Sequence, residues 1–377
     1  MYALKNFCYY RNGQLVSGDS IIIKNEKIKE ILPAGQLPET LNSIDLEGNF
    51  LTHGFIDLQV NGGTDSFFPQ DLSVDSLEKI YEDHLVLGTT HFLPTMITSS
   101  LDEMLKSIEV VRSYMESGKP GVLGLHLEGP FINVQKKGAH NEKYIRKPTK
   151  IELETILNAG EGVIKMMTVA PELFDKQLLD VISSRGIVIS AGHSNATMAV
   201  AKKSFEYGVS TITHLYNAMS QFNSREPGMV GAALDSDVYS AIIVDGFHCD
   251  YAAVNVAYRL KQGKLFLVSD ATLLGNQDTF SNGKQYLYKE GKYVNAEGNL
   301  AGSNIAMIHG VANCIKHLNV PVNCAFEMAN KIPAKVLNLA CSGTIAINQE
   351  ANMVILSKEW NVAGIVGKGV YREFANN

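Results

Sequence analysis

At 377 residues, 45% apolar and 19% charged, the chain is long enough for one large domain and a smaller one, with the composition of an ordinary globular enzyme. A net charge of -6 and a pI near 5.9, with the 33 basic residues scattered, give no pull toward phosphate polymers and exclude nucleic acid as an expected partner. No charged start leads into an apolar core and cleavage site, and no run of about 20 apolar residues occurs, so a cytoplasmic protein without membrane contact is expected. The five cysteines (Cys8, Cys249, Cys314, Cys324, Cys341) are odd in number and form no C-x-x-C pair, which fits reduced thiols packed in a core.

The first 51 residues alternate β-rich runs with turns: Phe7 to Tyr10, Ser20 to Ile23 and Lys27 to Ile31, broken at Arg11-Asn12-Gly13 and Lys24-Asn25-Glu26. A sheet of that size cannot close a core alone. The tail from Gly343 to Phe374, with Ala351 to Leu356 and Val362 to Val366 as strands, has the same character. The two ends are therefore expected to form one small β-sandwich domain, 1–51 plus 341–377, around a central domain of 52–340. No charged or Pro-rich linker marks either end as an independent module.

Across the centre, strand and helix patterns alternate. Strands are expected at Phe55 to Gln59, His91 to Pro94, Val122 to Glu128, Ile164 to Ala170, Ile187 to Ala191, Thr211 to His214, Ala241 to Val244 and Leu265 to Ser269. Helical faces recur between and after them, as in Met104, Leu105, Ile108, Val111 and Met115, in Leu178, Leu179 and Ile182, and in Ile308, Val311, Ala312 and Ile315. Eight such units predict an α/β chain with a (β/α)8 barrel of the TIM type. A doubly wound sheet is the alternative, because periodicity does not show closure. The absence of Gly-x-Gly-x-x-Gly after the first strand weakens a dinucleotide reading. Tyr286 to Leu300, with turns at Glu290-Gly291 and Glu297-Gly298, reads as a hairpin inserted after the eighth strand.

Polar residues collect at the C-terminal strand ends, where barrels place their chemistry. Gln59 and Asn61 follow the first strand, Glu128 the third, His193 the fifth, His214 the sixth, His248 the seventh and Asp270 the eighth. Glu128 ends an apolar run at Gly129-Pro130, which puts a carboxylate at a strand mouth. Alone it reads equally well as a strand-end acid bonded to loop amides, and each histidine alone is more often a satisfied strand-end residue. Two imidazoles and a carboxylate converging on one barrel mouth instead make a three-ligand metal set with an open position, the usual form of a catalytic zinc site.

Gly54-Phe55-Ile56-Asp57, His126-Leu127-Glu128-Gly129-Pro130, Gly192-His193-Ser194, Thr213-His214-Leu215-Tyr216-Asn217-Ala218-Met219 and Ser269-Asp270-Ala271 resemble motifs of the amidohydrolase superfamily. Lys137-Gly138-Ala139-His140-Asn141, Arg225-Glu226-Pro227-Gly228 and Leu300-Ala301-Gly302-Ser303 bring the resemblance closer, to the N-acetylglucosamine-6-phosphate deacetylase family, and it runs over nearly the whole chain. The resemblance implies hydrolysis of the acetamide of that sugar phosphate, with Glu128, His193 and His214 holding a metal and Asp270 handling the proton. It further implies that Asn217 and Ala218 (by backbone), Arg225 and His248 bind the phosphate, that Ala139 and His140 contact the sugar, and that Leu300, Ala301 and Gly302 belong to a substrate-binding segment. A phosphate ligand from a neighbouring subunit is a further implication, and with it a homodimer or a dimer of dimers.

Two features depart from the patterns of these families. Many amidohydrolases carry His-x-His after the first strand and hold two metals, whereas Gln59 and Asn61 stand at those same-facing positions here. Neutral amides are poor zinc ligands beside imidazole, so one divalent ion per subunit is expected, zinc or alternatively iron, manganese or cobalt, with both amides hydrogen-bonding near the metal and its water. The stretch Ala271-Thr272-Leu273-Leu274-Gly275-Asn276 also lacks the Ala-Pro-rich form of the family. A catalytically silent sugar-phosphate-binding protein is the competing class, and the acetylgalactosamine epimer is the competing substrate. The retained ligand trio and Asp270 favour the enzyme.

Overall fold

The computed structural model describes residues 1–33, 35–281, 284–340 and 343–374. Eight parallel strands follow one another around the centre in chain order: Phe55–Val60, Thr89–Ile97, Leu125–Glu128, Ile164–Val169, Val188–Ala191, Val209–Ile212, Tyr239–Ile242 and Leu265–Leu267. The ring closes where the first strand meets the chain leaving the eighth. There the Asp270 amide donates to Gln59 O (2.9 Å) and the Asn61 amide to Ala271 O (2.9 Å). This closure decides for a barrel against an open doubly wound sheet. The first strand is buried along its whole length, and Asp57, Gln59 and Asn61 share one face of it.

Helices pack outside the strands on the faces their periodicity predicts. In Leu101–Glu116, Met104, Ile108 and Val111 are buried, and Ser100 with Glu103 forms a capping box that sets the helix start. Burying side chains of this size contributes about 1.5–3 kcal/mol each, so the stripe outweighs the single cap as the reason the helix sits where it does. The third strand begins later than expected. Gly121 and Gly124, with φ of 92° and 148°, interrupt the extended backbone, and Val122 makes only an isolated bridge to Phe92.

The chain ends share a second sheet of eight strands, in which Ser43–His53 pairs parallel with Tyr2–Arg11 and antiparallel with Met353–Leu356. Its apolar cluster draws on both ends of the sequence, including Leu4, Phe7, Ile21 and Leu51 with Met353, Ile355 and Val366. On the strength of this separate core we propose the division at residue 51 and about residue 341, the second position lying outside the described residues. A third sheet follows the eighth barrel strand: Thr279–Ser281, Lys284–Lys289 and Lys292–Asn295. Glu290 and Gly291 turn it with φ of 49° and 82°, the positive pair that a two-residue hairpin needs. No helix among the described residues is long and apolar enough to cross a membrane.

Candidate active site

Glu128 is the last residue of the third strand, and His193, His214 and Asp270 lie just beyond the fifth, sixth and eighth. The last three hold left-handed backbone conformations, with φ of 47°, 29° and 49°. Such positions cost about 1–3 kcal/mol each for a side-chain-bearing residue and persist only where the surrounding structure imposes them. Here they swing side chains off the strand ends into the barrel mouth. Gly302, at φ 69°, lets the inserted segment lie against this loop, because a Cβ there would stand 2.7 Å from Asp270 O. Ser303 then donates its amide to Asp270 O at 2.8 Å.

Three buried ligand atoms meet. His193 Nε2 is 3.2 Å from Glu128 Oε1, His214 Nε2 is 3.0 Å from the same oxygen, and the two nitrogens are 3.1 Å apart. Ligands about 2.0–2.1 Å from a tetrahedral ion are separated by about 3.3 Å, so the triangle fits a small divalent cation with little rearrangement. The imidazoles present the right nitrogen. His193 Nδ1 lies 2.8 Å from Lys136 O, and since a carbonyl only accepts, Nδ1 carries a proton and Nε2 is the nitrogen left to give up its proton and turn to a metal. His214 Nδ1 is buried without a hydrogen-bond partner among the described residues. His140 offers a rival trio, because its ligand atom and those of Glu128 and His193 lie within 4.8 Å of one another. That trio is looser: His140 Nε2 stands 3.7 Å from Glu128 Oε2, while its Nδ1 is 2.7 Å from the Thr98 hydroxyl.

Burial alone would raise the Glu128 carboxyl. Hydrogen bonds from His193 and His214, with the charges of His193 and His140, outweigh burial and hold it well below the usual carboxylate range. Asp270 goes the other way. Burial and then the Glu128 charge push it up to about 7, against the pull of His214, His248 and the hydrogen bond from Asn61. Two carboxyls in one site are thus driven apart, the arrangement in which one stays ionised as ligand and the other exchanges protons. Asn61 Nδ2 donates to Asp270 Oδ1 at 2.8 Å and Gln59 Nε2 to Glu128 Oε1 at 3.1 Å, so each amide holds one of the two carboxylates.

The trio opens into a cavity of about 330 Å³. Of the residues expected at the site, Asn61, Glu128, Ala139, His140, His193, His214, Asn217, Ala218, His248, Asp270, Leu300, Ala301 and Gly302 line it. Gln59 lies outside the lining and is buried. Arg225 is not brought to the cavity within one chain. Arg225 is exposed, while the neighbouring Glu226 carboxylate accepts from the Met198 and Gly228 amides at 2.7 and 3.1 Å. His248 is fixed by Asp245, whose Oδ2 is 2.7 Å from Nδ1.

Sequence reasoning missed Phe67, Ile97, Gln135, Lys136, Thr272, Tyr286 and Asn299 in the lining. It also missed Glu172, which binds Asn133 Nδ2, the Ser194 hydroxyl and the Asn195 amide at 2.6–2.8 Å and so ties the loop after Glu128 to the loop carrying His193. Its position after Ala170-Pro171, just beyond the fourth strand, was the available signal.

A barrel with a Glu/His cluster at its mouth and a second buried carboxyl beside it defines a class, and the sequence comparisons agree with it. The chain belongs to the Amidohydrolase family, whose profile matches residues 50–372, and residues 1–51 match the NagA composite domain. Among similar proteins, an N-acetylglucosamine-6-phosphate deacetylase of Haemophilus influenzae is 37% identical over 99% of each chain. An N-acetylgalactosamine-6-phosphate deacetylase of a Shewanella species is 36% identical over 85% of this chain and 82% of its own. The crystal structure of N-acetylglucosamine-6-phosphate deacetylase from Pasteurella multocida superposes with a TM-score of 0.95 at 39% identity, covering 99% of this chain and all of that one. The family and the cluster together support a divalent metal.

Proposed function

We infer that the chain hydrolyses the acetamide of N-acetyl-D-glucosamine 6-phosphate to D-glucosamine 6-phosphate and acetate, in amino-sugar catabolism in the cytoplasm. The observation that carries this reading is the meeting of Glu128, His193 and His214 with Asp270 in one cavity. Glu128, His193 and His214 would hold one divalent ion, zinc best suiting two nitrogens and an oxygen, with iron, manganese or cobalt as alternatives. Such an ion lowers the pKa of water toward neutrality and polarises an acyl oxygen.

The remaining work falls on the chain's own groups. Asp270, held by Asn61, takes the proton of the attacking water and returns it to the amide nitrogen, which must be protonated before an amine departs. Ala139 and His140 face the sugar, His140 being oriented by Thr98, and Leu300, Ala301 and Gly302 close over the substrate from the insertion side. Asn217, Ala218 and His248 hold the phosphate. Arg225 of a second copy completes that end, which is why a homodimer is the working form.

The relative acting on the galactosamine epimer favours a second reading, because inversion at one hydroxyl leaves the amide, phosphate and metal requirements unchanged. The experiment is acetate release from N-acetylglucosamine, N-acetylgalactosamine and their 6-phosphates. The glucosamine phosphate should be turned over best. Faster turnover of the galactosamine phosphate would establish the second reading, and no release from any of the four would leave a binding protein.

Arg225→Met supplies a separate check on the phosphate end. Charge-assisted hydrogen bonds contribute about 1.5–3 kcal/mol, so the variant should lose about ten- to a hundredfold in kcat/KM on the phosphorylated sugar and almost nothing on the unphosphorylated one. Equal losses on both would make Arg225 structural.

A further inference from the structure

Phe67, Ile97 and Tyr286 give the cavity an apolar side. Asn217 and His248 follow the sixth and seventh strands, whereas Phe67 follows the first and Ile97 ends the second. In a closed ring of eight strands the second lies opposite the sixth, so the apolar wall that Phe67 and Ile97 begin lies across the mouth from Asn217. The apolar wall starts beside the reacting groups. Ile97 pairs in register with Glu128, and the Phe68 amide donates to the carbonyl of Asn61, the residue whose side chain holds Asp270. Tyr286 joins this wall from the inserted sheet, 3% exposed, its ring edge-on to Phe67 with centroids 5.8 Å apart. Leu273, Tyr293 and Ala301 belong to the same packed cluster.

We propose that Phe67, Ile97 and Tyr286 form the pocket for the acyl group of the scissile amide, and that Tyr286 limits its length. This inference rests on the deacetylase reading above. The phosphate of a hexosamine 6-phosphate needs hydrogen-bonding groups, and Asn217 and His248 offer them on the side of the sixth and seventh strands. With the carbonyl carbon beside Glu128 and Asp270, the acyl methyl then points to the first and second strands. A methyl fits against an aromatic wall. Each further methylene must displace a ring packed among Phe67, Leu273, Tyr293 and Ala301, and close-packed interiors resist such displacement.

The test compares kcat/KM for the N-formyl, N-acetyl, N-propionyl and N-butyryl amides of glucosamine 6-phosphate in wild type, Tyr286→Ala, Tyr286→Phe and Ile97→Ala. One methylene in a hydrophobic pocket is worth about 10–200-fold, so wild type should fall by that factor from acetyl to propionyl. Tyr286→Ala should raise the propionyl-to-acetyl ratio at least about tenfold, while Tyr286→Phe, which keeps the ring, should leave it within about twofold. Ile97→Ala alters the same pocket from another element and should raise the ratio even if Tyr286→Ala does not fold. Unchanged ratios in the alanine variants, or wild type cleaving butyryl as fast as acetyl, overturn the pocket and leave the deacetylase reading standing. No acid released from any amide by wild type overturns that reading, and this inference with it.

Discussion

Asp270→Asn should lower kcat by about 10²–10⁴-fold, the usual loss for a positioned acid-base group, with KM nearly unchanged. The amide keeps the shape and still meets Asn61, which lies 2.8 Å from Oδ1 in the wild type, but it can neither take nor return a proton. The wild-type pH profile carries the same information. The base must be ionised, so kcat/KM should fall as pH drops through the pKa of Asp270. Burial and the Glu128 charge set that pKa at about 7 without an ion, and a bound cation stabilises the carboxylate, so the acid limb should lie below 7. The limb should be missing from the residual activity of the variant. Most of the activity surviving at saturating substrate would instead make Asp270 a residue that merely orients a ligand.

The second large effect is expected at His214. Groups that only orient a ligand cost about 10–100-fold in metal affinity or activity when changed, so His214→Ala, which removes one corner of the triangle, should exceed that. Elemental analysis after dialysis should find well under one equivalent of divalent metal, and acetate release should fall at least about 100-fold. His140→Ala separates the two possible trios, because it should retain the metal while losing activity. If His140→Ala loses the metal and His214→Ala keeps it, the ion belongs to Glu128, His140 and His193 instead.

Much of this site was legible because each residue stands at a strand end, where an apolar run gives way to one group with distinctive chemistry. Glu128 before Gly129-Pro130, and His193 between Gly192 and Ser194, are examples. Two-residue spacing likewise put Gln59 and Asn61 on one face, and they bind the two carboxylates. What stayed hidden depends on contacts between distant parts of the chain. Glu172 acts through Asn133 and Ser194, 39 and 22 residues away, so nothing local marks it. Phe67 lies in an irregular stretch without a period, and in the inserted sheet alternation does not show which face meets the cavity. Arg225 was readable as a cation on a loop, but nothing in the local sequence shows that it stands exposed, away from the cavity of its own chain. The third strand failed at its start because Gly121 and Gly124 interrupt a run whose apolar residues alone read as continuous.

We propose a single divalent ion on Glu128, His193 and His214 serving a reaction whose protons Asp270 carries. The most direct test is acetate release from N-acetylglucosamine 6-phosphate by the wild-type protein, stripped with a chelator and then titrated with zinc, iron, manganese or cobalt. Activity should be lost on stripping and recover fully at one equivalent per subunit for at least one of these ions. Undiminished turnover by metal-free protein, or recovery that is complete only at two equivalents, would contradict the proposal.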